Sequence, residues 1–82
     1  MARKSVRIEY YAALREAAGR EEETVVSAAG TAADLYREIA LKRSIPYELS
    51  TLTVALNDRV VPWSTQVSDG DTVIFLAPYA GG

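Results

Sequence analysis

The order of apolar and polar side chains divides the chain into alternating strand and helix patterns. Val6, Ile8 and Tyr10 alternate with Ser5, Arg7 and Glu9, the period of two expected of a strand buried on one face. Tyr11 to Ala18 is rich in alanine, leucine, arginine and glutamate, good helix formers, and Gly19 stands where a helix stops. Glu22 to Ala28, centred on Thr24-Val25-Val26, reads as a second strand, with Glu21-Glu22-Glu23 as a solvated turn leading into it.

The next segment carries the strongest helical signal. Thr31 has the character of an N-cap, and Asp34, three residues on, completes a variant of the capping box. Ala32, Leu35, Tyr36, Ile39 and Ala40 then recur at i, i+3, i+4, i+7 and i+8, forming one apolar stripe. Asp34 at the start and Lys42-Arg43 at the end suit the helix dipole. Glu38 and Lys42 stand in the orientation that favours an i,i+4 ion pair. Pro46 forbids much continuation.

Leu52, Val54 and Leu56 alternate again, Asn57-Asp58 tolerates left-handed turn angles, and Val60-Val61 resumes extended structure, so this stretch predicts a hairpin that Pro62 ends. Ser68-Asp69-Gly70-Asp71 signals a turn. Thr72 to Ala77 is a continuous apolar strand, as expected at the centre of a sheet. One amphipathic helix covers one face of such a sheet, which makes a two-layer α+β domain. With no repeat, linker or low-complexity tract, residues 1–82 form a single domain ending in a flexible tail, 78–82. Element order and tail together suggest a ubiquitin-like β-grasp: a mixed sheet, one main helix on one face and an additional short helix.

The sequence ends in Gly81-Gly82. Given ordinary glycine usage, a terminal diglycine arises by chance in roughly 0.5% of chains. A carboxylate carried on two residues without side chains can thread a narrow channel, and glycine visits backbone angles closed to other residues. The chain has no cysteine and no histidine. It therefore lacks a thiol nucleophile, thiolate and imidazole metal ligands and the usual neutral-pH base. Self-contained catalysis and a metal site are both poorly provided for. The net charge of −2 gives no general attraction to nucleic acid or anionic lipid. No apolar run approaches the roughly 20 residues that span a bilayer. A cytoplasmic location is the default expectation.

Three motifs carry a family resemblance. Tyr10-Tyr11-Ala12-Ala13-Leu14-Arg15-Glu16-Ala17-Ala18-Gly19 resembles the aromatic-Ala-x-Leu-Arg-Glu-x-x-Gly segment of the molybdopterin synthase small subunit. Asp69-Gly70-Asp71-Thr72-Val73 is similar to that family's turn into its last strand. Phe75 and Pro78-Tyr79-Ala80-Gly81-Gly82 resemble its tail, with a single proline where the family often has two. The likeness spans nearly the whole chain.

The resemblance implies a sulfur carrier. An ATP-consuming, ubiquitin-activating-type adenylyltransferase would adenylate the Gly82 carboxylate, a sulfur donor protein would convert it to a thiocarboxylate, and the large synthase subunit would accept the tail. There the sulfur would go to a pterin precursor of the molybdenum cofactor. Gly82 then carries the chemistry, Gly81, Ala80, Tyr79, Pro78 and Phe75 form the tail and partner-binding set, and no cofactor is permanently bound. Phe75 has a second reading as a core residue of a central strand. Two other functions share the activation step: a ubiquitin-like modifier joined to lysines, and a sulfur carrier for thiamine thiazole synthesis. Thiamine carriers are usually shorter and lack the Leu-Arg-Glu helix.

Several residues have bland readings beside sharp ones. Asp69 and Asp71 read as turn formers rather than metal ligands. Arg15-Glu16 reads as a solvated helix face. Trp63 is either a partner anchor or a half-buried cap on the sheet edge. Arg59 sits at the hairpin tip, where it would be available to an acidic partner surface.

Overall fold

The computed structural model describes residues 3–78. In chain order these form β1 (Lys4–Tyr10), α1 (Ala12–Ala18), β2 (Glu22–Ser27), α2 (Ala32–Arg43), β3 (Thr53–Leu56), β4 (Arg59–Val61) and β5 (Thr72–Leu76), with a single 3-10 turn at Leu49–Thr51. The sheet runs β2-β1-β5-β3-β4. Only β1 and β5 pair in parallel; the other neighbours are antiparallel. This is the mixed sheet of the ubiquitin-like β-grasp, with α2 on one face. β5 lies between β1 and β3, in the central place that its unbroken apolar run predicts.

Local chemistry explains the element ends. Thr31 caps α2 by accepting a hydrogen bond from the Asp34 N–H at 3.2 Å. The helix ends at Arg43, before Pro46, with Ser44 in the left-handed region at φ 57°. Gly19 closes α1 at φ 75°, an angle that an L side chain adopts only with strain. Asn57 and Asp58 take φ 50° and 70° in the two-residue β3–β4 turn, the geometry of a tight hairpin.

The core fills the space between α2 and the sheet. Val6, Ile8 and Tyr10 from β1, Val73 and Phe75 from β5, and Val54 and Leu56 from β3 face Ala32, Leu35, Tyr36 and Ile39 of α2. Leu14 of α1, Val25 of β2, Ile45, Leu52 and Val67 complete it. Each large side chain fully withdrawn from water contributes about 1.5–3 kcal/mol. Tyr36, Phe75 and Trp63 form an aromatic trio, with ring centroids 5.0 Å apart for Tyr36–Phe75 and 6.0 Å for the stacked Trp63–Phe75 pair.

Two sequence expectations need correction. Glu22 and Glu23 are not in a solvated turn; both belong to β2. Glu23 points inward, where it accepts hydrogen bonds from Arg43 (Nε at 3.0 Å, with Nη2 also in contact) and from Tyr10 Oη at 2.5 Å. That network ties β1, β2 and the end of α2 together. Glu38 turns away from Lys42 and accepts from Ser27 Oγ at 2.7 Å, the hydroxyl that also receives the Ala29 N–H. A buried hydroxyl needs a partner, and that need outweighs an exposed i,i+4 ion pair.

Candidate functional site

β5 is the last strand and leads to Pro78, the last described residue. Its side chains alternate: Val73 and Phe75 are buried under α2, while Thr72, Ile74 and Leu76 face the open side of the sheet. Phase therefore decides the fate of Phe75. Its ring is fully buried against Tyr36 and Trp63, so the partner-binding role expected of it gives way to a core role. Ala77 follows on the helix side and packs against the core cluster, and Pro78 is exposed. Tyr79, Ala80, Gly81 and Gly82 lie outside the described residues.

The open face carries an apolar row. Glu9 of β1 stands beside Ile74 of β5, Ile74 beside Ala55 of β3, and Ala55 beside Val60 of β4. Val60 is 69% exposed, and Leu76 opposite Thr53 extends the patch toward the tail. On the other half of the same face the surface turns polar. Arg7 is bonded to Glu9 at 3.1 Å and also pairs with Glu22, and Tyr11 Oη donates to Glu9 at 2.8 Å. The Tyr11 hydrogen bond, followed by Arg7, holds the Glu9 carboxyl below the usual carboxylate range. An apolar centre with a charged margin is the general anatomy of a protein-docking surface.

Charged groups outside this face serve structure. Asp69 Oδ1 accepts from the Ser5 N–H at 2.7 Å. Asp71 accepts from the Ser68 N–H and from Asn57 Nδ2, so the turn formers staple the β4–β5 connection to β1 and to the hairpin. Trp63 is half-buried, and its Nε1–H donates to the Leu52 carbonyl at 3.2 Å, which is the edge-capping reading. Arg59 and the Arg15-Glu16 pair are exposed. Among the described residues no cluster of three or more His, Cys, Asp or Glu converges, and no helix is long and apolar enough to cross a membrane.

Sequence reading missed Ile74 and Val60 as surface residues, because a run without polar members hides its phase. The signal was the neighbour: once Phe75 is placed inward, pleating turns Ile74 and Leu76 outward. It also missed the partly buried ion pair of Glu23 and Arg43. Twenty residues separate the two, and no local pattern links them.

A five-stranded mixed sheet grasping one main helix defines the ubiquitin-like β-grasp class. Residues 8–82 match the model of the ThiS family, and the chain belongs to that family of ubiquitin-like sulfur carriers. No curated protein matches it. Among solved structures, it is similar to a putative molybdopterin converting factor subunit 1 from Pyrococcus furiosus, with 27% identity, 93% of this chain and 99% of that one covered, and a TM-score of 0.76. It is similar in fold to small archaeal modifier protein 1 from Methanosarcina acetivorans, with 20% identity, both chains fully covered at 100%, and a TM-score of 0.78. It also resembles, in fold, a chain in the complex of subunits 1 and 2 of the molybdopterin-converting factor from Helicobacter pylori. There the identity is 23%, the coverage 95% of this chain and 99% of that one, and the TM-score 0.65.

Proposed function

We propose that this carrier is the sulfur-donating small subunit of a molybdopterin synthase. A carboxylate is a poor acyl donor because its oxygen leaves badly. In the proposed cycle the Gly82 carboxylate attacks ATP on an adenylating partner, releasing pyrophosphate and forming an acyl adenylate. A persulfide on a donor protein displaces AMP to form an acyl disulfide, and a second thiol of the donor cleaves its S–S bond, leaving the thiocarboxylate and a disulfide on the donor. The large subunit then receives the tail, the sulfur passes to the pterin precursor, and water restores the carboxylate. ATP is consumed on the partner, and the chain needs no resident cofactor.

This chain's own part is to present the acyl group and to dock. The observation that carries the reading is the double use of β5: one strand supplies Ile74 and Leu76 to the apolar open face and leads directly into the tail. A partner seated on that face is placed at the root of the reacting end. Four residues beyond Pro78 reach about 13 Å at most, so the body must sit close to each active site. The Leu14-Arg15-Glu16 motif and the Asp69-Gly70-Asp71 turn favour the molybdopterin pathway over a thiamine carrier.

The test is reconstitution with a candidate large subunit, an adenylating enzyme and a sulfur donor. Intact mass should show one oxygen exchanged for sulfur at Gly82, and the loaded protein should form dithiolene from the pterin precursor. A chain lacking Gly82 should fold normally and accept no sulfur. Larger covalent species with lysine-bearing proteins, in place of dithiolene, would identify a modifier instead.

A further inference from the structure

On the helix side of the sheet, an open groove of about 640 Å³ separates the second half of α2 from the segment that returns to β3. Arg37 and Leu41, one helical turn apart, form a ridge along one wall; Tyr47, Glu48 and Leu49 form the other. Leu41 is 86% exposed, the most exposed of the large apolar side chains, and Tyr47 is 37% exposed. Tyr36 Oη donates to the Tyr47 carbonyl at 2.5 Å and holds the second wall against the helix. Leu41 adds nothing to the core, and no segment among the described residues covers it. An apolar side chain left so far into water within a patch marks an interaction surface.

We propose that the occupant is a second copy of this chain, paired about a two-fold axis so that the Arg37–Leu41 ridge of each copy lies in the groove of the other. Charge selects this occupant. A two-fold contact uses one patch twice, so the patch must complement itself. This groove does so, with a cation on the ridge and an anion on the facing wall. The Arg37 side chain is 67% exposed and lies 3.5 Å from Asp34, at the edge of contact, which leaves most of its five N–H donors open. The Glu48 side chain is exposed and makes no hydrogen bond or ion pair among the described residues. Pairing sets each Arg37 against the other copy's Glu48, so two ion pairs form and no like charges meet. A partner surface of a single sign would be attracted by one wall and repelled by the other.

The apolar members fit the same symmetry. Leu41 follows Arg37 by one turn on the same face of α2, so seating Arg37 beside Glu48 brings Leu41 against Tyr47 and Leu49. Each tyrosine ring then covers the other copy's leucine, with the ion pairs at the margin, which is the usual anatomy of an interface. The groove lies on the helix side of the sheet and the Ile74–Val60 row on its open side. A pair joined through α2 therefore keeps both open faces free for other proteins. The pairing does not depend on what Gly82 carries.

The experiment uses the full chain alone. Sedimentation equilibrium between about 10 μM and 1 mM should show reversible passage from monomer to dimer. Over the same range the Leu41, Tyr47 and Glu48 amides should move in NMR spectra, while those of Thr24 and Val60 stay in place. Leu41→Asp, Arg37→Glu and Glu48→Arg should each weaken self-association at least tenfold, with thermal transitions by circular dichroism unchanged because all three side chains are exposed. The decisive sample is an equimolar mixture of Arg37→Glu and Glu48→Arg. In a mixed pair opposite charges again meet at both positions, so association should return to within about threefold of the natural chain. A chain that stays monomeric at the highest concentration would overturn the proposal. So would a dimer whose moving amides are those of Ile74 and Val60, or a mixture that fails to associate. The measurement contains neither ATP nor a sulfur donor, so its failure and the failure of the sulfur-carrier reading are separate results.

Discussion

Glu23 shows how one side chain can govern a region far from the reacting end. Its carboxyl is held below the usual carboxylate range, first by the hydrogen bond from Arg43 and then by Tyr10, against the opposing effect of burial. Burial, followed by the hydrogen bond to Glu23, raises the Tyr10 hydroxyl above its usual range. A carboxyl whose folded pKa is depressed adds stability that is present above its unfolded value and is lost as pH falls through the folded one. The affected window is therefore acidic, beginning near pH 4.5, the ordinary value for glutamate. Glu23→Gln should flatten the acid limb of stability, measured by urea titration between pH 6 and pH 3. Arg43→Ala should lower stability at pH 7, read as a lower urea midpoint, because it leaves the partly buried Glu23 carboxylate without its main donor. At the other end of the chain, Gly81→Ala should slow adenylation, because a methyl group both widens the tail and restricts its backbone. Pyrophosphate exchange on the activating enzyme measures this, and an unchanged rate would count against a tight channel.

At the scale of elements, β5 and its neighbours set the apolar open face that the proposed function uses for docking. Ile74→Arg places a charge in the middle of the Glu9–Ile74–Ala55–Val60 row without touching the core, since the buried side of β5 is formed by Val73 and Phe75. Affinity for the large subunit should fall at least tenfold, about 1.4 kcal/mol, with little change in melting temperature. Calorimetric titration against that subunit reads the effect directly. The elements themselves were largely legible in the sequence, because each carried its own local chemistry. Thr31 and Asp34 announced the start of α2, Asn57-Asp58 announced the hairpin, and Gly19 announced the end of α1. The 3-10 turn at Leu49–Thr51 was not legible, for its three residues have no distinctive pattern and follow from the need to return from Ile45 to β3. The function of β5 was only half legible: its centrality followed from its apolar run, but its phase, which separates Phe75 from Ile74, required the neighbouring strands.

For the whole molecule, the decisive fact is that the two ends of the chain meet at the sheet centre. β5 pairs with β1 on one side and with β3 on the other, so it joins the β1–β2 pair to the β3–β4 hairpin. A chain stopped at residue 71 lacks Val73 and Phe75, leaves both hairpins with a bare edge and removes the base of the aromatic trio. Such a chain should show no cooperative thermal transition by circular dichroism, whereas deletion of Gly82 alone should leave the transition in place. Folding is thus complete only when the last strand is in hand, immediately before the segment assigned to the chemistry.

The lone tryptophan gives this arrangement a practical use. Trp63 rests on Phe75 and is tethered to the Leu52 carbonyl, one residue from the strand position that faces Leu76. An indole held there senses the polarity of the surface beside the end of β5. Its natural emission offers a label-free optical gauge of that surface, readable in real time as binding proteins arrive and leave.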